Sequence, residues 1–242
     1  MRVLVISDIH ANLAALKAVL KDAGKVNAVW CLGDVVGYGP DPNECVELVR
    51  EQNNLVCLLG NHDAASIGEM SVASFNFEAR QAVEWTQSVL KEDNREYLLE
   101  RPLISIIGDV TLAHGSPRQP VFEYVLDTRS ASDNFDHFDN DFCFIGHSHI
   151  PLMFTQDQDD YLCKLNFPSV NKLIKLKPRA IINPGSVGQP RDRDARASYA
   201  IFDSDARTWL YRRVKYDIAD TQRRMREHNL PPRHIDRLSG GW

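Results

Sequence analysis

The sequence predicts an α/β fold in which a parallel sheet flanked by helices leads into a mostly antiparallel second half. Two patterns carry that reading. Apolar, β-branched runs alternate with amphipathic helical stretches from residue 3 to residue 63, as in a parallel sheet with helical crossovers. Beyond residue 101 the apolar runs are short and separated by turn-rich joints, as in hairpins. A third observation locates a site. Five apolar runs stop at Asp, Asn or His, and in open sheets ligands bind outside the carboxyl ends of the strands.

Val3-Leu4-Val5-Ile6 reads as a buried strand that stops at Ser7-Asp8-Ile9-His10. In an extended segment Asp8 and His10 point to the same side, because side chains alternate with period two. Asn12 caps a helix with Leu13, Leu16, Val19 and Leu20 at three- and four-residue spacing, and Gly24 ends it. Ala28 to Leu32 is a second strand, closing at Gly33-Asp34. Pro40-Asp41-Pro42-Asn43 opens a second amphipathic helix through Val46, Leu48 and Val49. Leu55 to Leu59 is a third strand, ending at Gly60-Asn61-His62-Asp63. Residues 64–101 hold helix-like material and read as a small helical insertion above the strand ends, where lids form. The helical spacing of Phe75, Phe77 and Trp85 suits packing better than base stacking.

Leu103 to Ile107 and Val110 to Ala113 form two strands about Gly108-Asp109, and the second stops at His114-Gly115. Val121 to Leu126 reads as extended, and Ser130 to Phe138 as a short helix. Phe142 to Ile145 is a strand ending at Gly146-His147-Ser148-His149. Leu152 to Thr155, Tyr161 to Phe167, Val170 to Leu176 and Ala180 to Ile182 follow as short strands, with Asp157-Gln158-Asp159-Asp160 as one of the turns. A Gly-rich loop, Asn183 to Gly188, precedes strands Ser198 to Phe202 and Trp209 to Tyr216. Asp217 caps a final helix whose Arg223, Arg224 and Arg226 form a solvated face. Residues 1–242 read as one domain, with 64–101 as a helical cap and 217–242 as a C-terminal helix and tail.

A composition of 43% hydrophobic and 25% charged residues is that of a globular protein with a substantial core. The formal net charge of −5 and pI near 5.9 argue against broad nucleic-acid binding. No apolar segment approaches the roughly 20 residues needed to span a bilayer, and the apolar run before Asp8 is too short for a signal peptide. A cytoplasmic setting without membrane association is expected. Cys31, Cys45, Cys57, Cys143 and Cys163 are odd in number and lack CxxC spacing, so Cys31, Cys57 and Cys143 read as small core residues.

The strand-end set comprises Asp8, His10, Asp34, Asn61, His114, His147 and His149. Burying Asp8 and Asp34 together costs on the order of several kcal/mol without cations to offset it. Carboxylates, an amide oxygen and imidazoles with no thiolate suit Mn2+, Fe2+/Fe3+ or Zn2+ better than Mg2+ or Ca2+. Seven side chains exceed one tetrahedral ion and match two ions sharing a carboxylate. Arg118, Arg191 and Arg193 follow strand-end or Gly-rich loops, where arginines can clamp phosphate oxygens. Covalent-cysteine chemistry is disfavoured, and no GxGxxG follows a strand.

Asp-x-His, Gly-Asp, Gly-Asn-His-Asp, His-Gly and Gly-His-x-His, in this order, resemble the motif set of the calcineurin-like metallophosphoesterase family, over Arg2 to about residue 203. Ser7 to Leu13, Gly37-Tyr38-Gly39-Pro40-Asp41-Pro42 and Asn183 to Gly188 are similar to its small bacterial and archaeal branch, labelled phosphodiesterase or diadenosine-tetraphosphatase-like; Ala11 stands where that branch usually has Gly. The resemblance implies a four-layer α/β/β/α sandwich of two mixed sheets between helices. It implies that Asp8, His10, Asp34 and His149 hold one ion, and Asp34, Asn61, His114 and His147 a second, with Asp34 as the bridge. His62 would be the catalytic proton donor or charge stabiliser, oriented by Asp63. The Asp-Arg-Gly element of the protein phosphatases is absent after Asp34.

The expected function is hydrolysis of a small phosphoester by in-line attack of a metal-bridging hydroxide, most simply on a phosphodiester of nucleotide type. Phosphomonoesterase, protein phosphatase and nuclease activities are the enzymatic alternatives; a basic groove would favour the last. A protein-interaction scaffold is the non-enzymatic one, and it predicts decayed ligands. A homo-oligomer is compatible with the sequence.

Overall fold

The computed structural model describes residues 1–157, 159 and 161–242. Its strands are β1 (Arg2–Ile6), β2 (Ala28–Cys31), β3 (Leu55–Cys57), β4 (Ile104–Ile107), β5 (Val110–Ala113), β6 (Phe142–Phe144), β7 (Pro151–Gln156), β8 (Cys163–Asn166), β9 (Leu173–Lys175), β10 (Ala180–Pro184), β11 (Ala197–Asp203) and β12 (Thr208–Val214). The helices are α1 (Leu13–Ala23), α2 (Pro42–Arg50), α3 (Asn61–Ile67), α4 (Phe77–Val89), α5 (Glu92–Leu99), α6 (Thr128–Phe135), α7 (Ile218–Glu227) and α8 (Pro232–Gly240).

The strands form two mixed six-stranded sheets, ordered β3-β2-β1-β11-β12-β9 and β4-β5-β6-β10-β7-β8. β1, β2 and β3 are parallel, as are β5, β6 and β10, while the outer pairings are antiparallel. Period-two alternation sorts the layers. Val3 and Val5 of β1 join Phe142 and Phe144 of β6 in the core between the sheets. Leu4 and Ile6 face the opposite way, onto Leu16, Val19, Val46 and Val49 of α1 and α2. Cys143 and Ile145 face Ala131 and Phe135 of α6. Each sheet therefore buries both faces, giving the α/β/β/α sandwich, and each fully buried aliphatic side chain contributes roughly 1.5–3 kcal/mol. All five cysteines are free, and Cys31, Cys45, Cys57 and Cys143 are buried.

Several expectations need correction. Val121 to Leu126 is not a strand. Val121 and Val125 are buried and Phe122, Tyr124 and Leu126 exposed, the alternation of an extended segment, but residues 121–126 pair with no strand of either sheet and run as a turn and loop. β8 and β9 part company, β8 pairing with β7 and β9 with β12 in the other sheet. Gln158 and Asp160 of the expected turn lie outside the described residues. Within residues 64–101, Ile67, Leu90 and Leu98 pack into the core beneath α1 and α2.

The C-terminus holds two helices, not one. Pro232 opens α8 and Gly241, left-handed, closes it. Its Ile235 and Leu238 pack with Met225, Leu230 and Trp85. On α7, Arg223 is exposed and pairs with Asp220 and Glu227, but Arg224 reaches Asp41 at the start of α2. No described helix is long and apolar enough to cross a membrane.

Candidate metal centre

β1, β2 and β3 end at Asp8/His10, Asp34 and Asn61, and β5 and β6 end at His114 and His147/His149. The two sheets are tied together there. Asp8 accepts the His147 backbone N–H on Oδ1 at 3.1 Å, and the Val187 N–H donates to the Ser7 carbonyl at 3.0 Å. Period-two projection does not explain the convergence of Asp8 and His10, because β1 stops at Ile6. Asp8 (φ 54°), His10 (48°), Ala11 (50°), Asp34 (54°), Tyr38 (60°), His147 (63°) and His149 (61°) are all left-handed. Such backbone is uncommon for non-glycine residues and persists where surrounding structure over-determines it, frequently at functional sites.

Two groups of ligand atoms share one member. Asp8, His10, Asp34 and His149 form the first, and Asp34, His114 and His147 the second, and all of these side chains are buried. Asp34 Oδ2 lies 3.6 Å from His10 Nε2 and 3.3 Å from His114 Nε2. His149 Nε2 is 3.4 Å from Asp8 Oδ1 and 3.0 Å from His10 Nε2. Asn61 Oδ1 lies 3.1 Å from His114 Nε2, beside the second group. The far ring nitrogens are fixed by backbone. Nδ1 of His10 donates to the Val36 carbonyl (3.2 Å), that of His114 to Leu32 (2.9 Å) and that of His149 to Gln189 (2.6 Å). Those bonds set the tautomer and leave the Nε2 of His10 and of His149 as a bare lone pair aimed inward, the arrangement of metal-ligating histidines, while Nε2 of His114 faces Asn61 Oδ1 and Asp34 Oδ2.

The residues fit a divalent cation on their own geometry. Asp34 Oδ2 and His147 Nε2 are buried and have no hydrogen-bond partner. Bare Nε2 atoms of His10 and His149 face each other, and cis ligands of one ion with bonds of about 2.1 Å stand about 3 Å apart. Electrostatics agree for His10, His147 and His149, whereas His114 is paired with Asp34. Burial pushes Asp8 up to about 7, aided by neighbouring Asp34. Burial opposes charge on His114, yet Asp34 raises its pKa to about 9, and His114 in turn holds Asp34 well below the carboxylate range despite burial. Burial drives His10 and His149 far below the usual imidazole value and His147 to about 3. Uncharged imidazole is the form that ligates metal.

Asn61, His62 and Asp63 form the first turn of α3 instead of preceding the helical insertion. His62 is wedged between rings, with centroids 4.2 Å from Tyr38 and 4.9 Å from His10 and Phe75. Burial lowers its pKa to about 4. The expectation that Asp63 orients this ring fails. Asp63 Oδ1 accepts the Val36 N–H (2.9 Å) and Oδ2 the Gly60 N–H (3.1 Å), so the carboxylate braces the loop after Asp34 against the start of α3. Both oxygens are spent on backbone because α3 begins at the motif itself.

Arg118 is committed elsewhere: its guanidinium is bound by Glu123 and Asp133. For Arg193 the hydrogen bond found is backbone, its N–H donating to Gly241 O at 2.6 Å. Arg191 faces the cluster, its charge lowering the pKa of His10, His62, His147 and His149 alongside burial. Sequence reasoning assigned no role to Tyr38, although the Gly37-Tyr38-Gly39 motif marked it, nor to Tyr124, which stacks on His147 with ring centroids 3.9 Å apart. Tyr124 sits, half exposed, in the loop of residues 121–126, where no local pattern marks it.

A two-sheet sandwich with a carboxylate and imidazole cluster at its strand ends is the architecture of metallophosphoesterases. The chain belongs to the calcineurin-like phosphoesterase superfamily, whose domain matches residues 1–207. It is similar to an uncharacterized protein of Methanocaldococcus jannaschii, 40% identical over 234 residues, 94% of this chain and 93% of that one. It is also similar to the crystal structure of a metallophosphoesterase from Sphaerobacter thermophilus, at 49% identity and TM-score 0.91, covering 100% of this chain and 99% of that chain. Over 112 residues, 45% of this chain and 40% of the other, it is 25% identical to a symmetrical bis(5'-nucleosyl)-tetraphosphatase of Pectobacterium carotovorum.

Proposed function

We propose that the protein is a phosphoester hydrolase that works with two metal ions and acts on a phosphodiester of nucleotide type. The observation that carries the reading is Asp34 Oδ2, unpartnered and within 3.6 Å of His10 Nε2 and 3.3 Å of His114 Nε2, at the seam of the two ligand groups. Asp8, His10, Asp34 and His149 would hold one ion, and Asp34, Asn61, His114 and His147 the other, from among Mn2+, Fe2+/Fe3+ and Zn2+. Bound there, such ions supply Lewis acidity toward phosphoryl oxygen and lower the pKa of coordinated water.

The chain's own groups do the rest. His62 stands at the wall as a neutral ring with Nδ1 unpartnered, suited to donating an N–H to a phosphoryl or leaving-group oxygen. Asp63 keeps the loop carrying Val36 in place, and with it the carbonyl that orients His10. Arg191 supplies positive charge for a non-bridging phosphate oxygen. The partial likeness to a nucleoside-tetraphosphate hydrolase supports a nucleotide substrate.

The test is a turnover panel of phosphodiesters and phosphomonoesters on protein of measured metal content, loaded in turn with Mn2+, Fe2+ and Zn2+. Metal-dependent diester turnover is expected. Diester cleavage at background beside brisk monoester cleavage would make the protein a phosphatase, and no turnover with full metal occupancy would defeat the reading.

A further inference from the structure

The family domain ends at residue 207, yet α8, which begins at Pro232, reaches the site. Arg237 of α8 donates from Nη1 to Gln189 Oε1 at 3.1 Å, and Arg191 donates from Nη2 to the same oxygen at 2.8 Å. Two guanidinium groups thus share one neutral acceptor, and neither forms an ion pair among the described residues. The Nε atoms of both arginines and Nε2 of Gln189 are buried without a partner. Burial, then the charge of Arg191, lowers the pKa of Arg237 from the usual guanidinium value.

This pair adjoins the metal cluster through covalent and hydrogen-bonded neighbours. The carbonyl of Gln189 receives His149 Nδ1–H at 2.6 Å. Arg191 lies 5.8 Å from the Tyr38 ring centroid, and Tyr38 packs against His62. His234, one turn before Arg237, has its ring 4.4 Å from Tyr38, is 2% exposed, and leaves both ring nitrogens unpartnered. Arg237 rests over Trp242, its Cζ 5.5 Å from the ring centroid. Two half-buried cations held on one acceptor repel each other, and an anion between them reverses the sign of the interaction.

We propose that Arg191 and Arg237, aligned on Gln189, form a second anion site that receives a phosphoryl group next to the one attacked. Resting on the hydrolase reading, this deepens it: α8 selects substrates with at least two linked phosphoryl groups. Tyr38, packed on His62 and His234, lies beside Arg191.

The test compares binding of methylenediphosphonate and methylphosphonate, one probe with two phosphoryl-like groups and one with a single group, to the metal-loaded protein by calorimetry. Wild type should prefer the two-group probe by about tenfold or more, the range of charge-assisted hydrogen bonds. Arg237→Gln, which keeps a polar side chain over Trp242, should bring the preference close to one. A preference unchanged by Arg237→Gln, or absent in wild type, overturns the inference. Should the variant fail to fold, hydrogen exchange in wild type decides. Amides of residues 233–242 should slow with methylenediphosphonate and not with methylphosphonate, and equal exchange overturns the site. Metal uptake and hydrolysis are read separately, so their failure defeats the hydrolase reading, whereas an active, metal-loaded enzyme indifferent to Arg237 defeats this inference alone.

Discussion

His10 and His149 point Nε2 at Nε2 across 3.0 Å, while their Nδ1 atoms are held by the carbonyls of Val36 and Gln189. Serving those carbonyls takes the ring proton of each neutral imidazole, so two lone pairs face each other and a cation between them removes the repulsion. Protein in chelator should therefore melt below protein in Mn2+ or Zn2+. A ligand confined to the folded state adds about 2.7 kcal/mol at a hundred times its Kd, or about 5–10 °C for a chain of this size. Thermal denaturation with and without chelator measures it. His149→Ala should lose most of the gain, and a full gain in that variant would contradict the assignment.

His62 touches the site through its ring while its backbone N–H donates to Asp34 Oδ1 at 2.9 Å. His62→Ala keeps that backbone bond and removes only the ring. Turnover should fall about 10²- to 10⁴-fold, the usual worth of a positioned acid or base, with metal per chain unchanged by elemental analysis. Equal losses of metal and turnover would move His62 from catalysis to structure.

What was legible in the sequence follows from how local the signal is. Leu4 and Ile6 against Val3 and Val5 alternate because β1 is buried on both faces, and Asp34 follows β2 because strand ends carry ligands. The left-handed backbone at Asp8, His10 and His149 is imposed by partners far along the chain: His10 N–H donates to Asp34 O, and His147 N–H to Asp8. No propensity encodes that, so the convergence of the ligands was inferred and their backbone route was not. Likewise β9 joins β12 across the sandwich, and Arg237 reaches Gln189 from 48 positions away. α8 does leave a trace in Pro231-Pro232, Ile235, Leu238 and Gly240-Gly241, too short a pattern to separate a helix from a tail.

Ala11 sits at φ 50° where the family branch usually has Gly, fully buried beside Gly39. Left-handed backbone costs an alanine roughly 1–2 kcal/mol, partly offset by the smaller unfolded-state entropy of alanine. Ala11→Gly should therefore stabilise the protein by up to about 1 kcal/mol, about 2–4 °C in Tm. Differential scanning calorimetry on metal-free protein measures it without interference from ligation. A lower Tm in the variant would mean that the buried methyl contributes more packing than its backbone costs.

Gly60 shows the opposite constraint. Its φ is ordinary, but a Cβ there would lie 2.1 Å from Asp34 Oδ1 and 2.3 Å from Asp34 N. Both contacts are on Asp34, one on the carboxylate shared by the two ligand groups and one on its backbone, and that backbone is pinned because Asp34 O accepts the His10 N–H at 2.9 Å. Gly60→Ala must displace the side chain of Asp34, the start of α3, or both. Overpacking of this kind costs about 1–3 kcal/mol, and because Asp34 belongs to both groups the variant should lose affinity at both metal positions together. Metal per chain after dialysis at graded free Mn2+ distinguishes this from a local effect. Selective loss at one position, with the other at wild-type affinity, would show that Asp34 does not serve both.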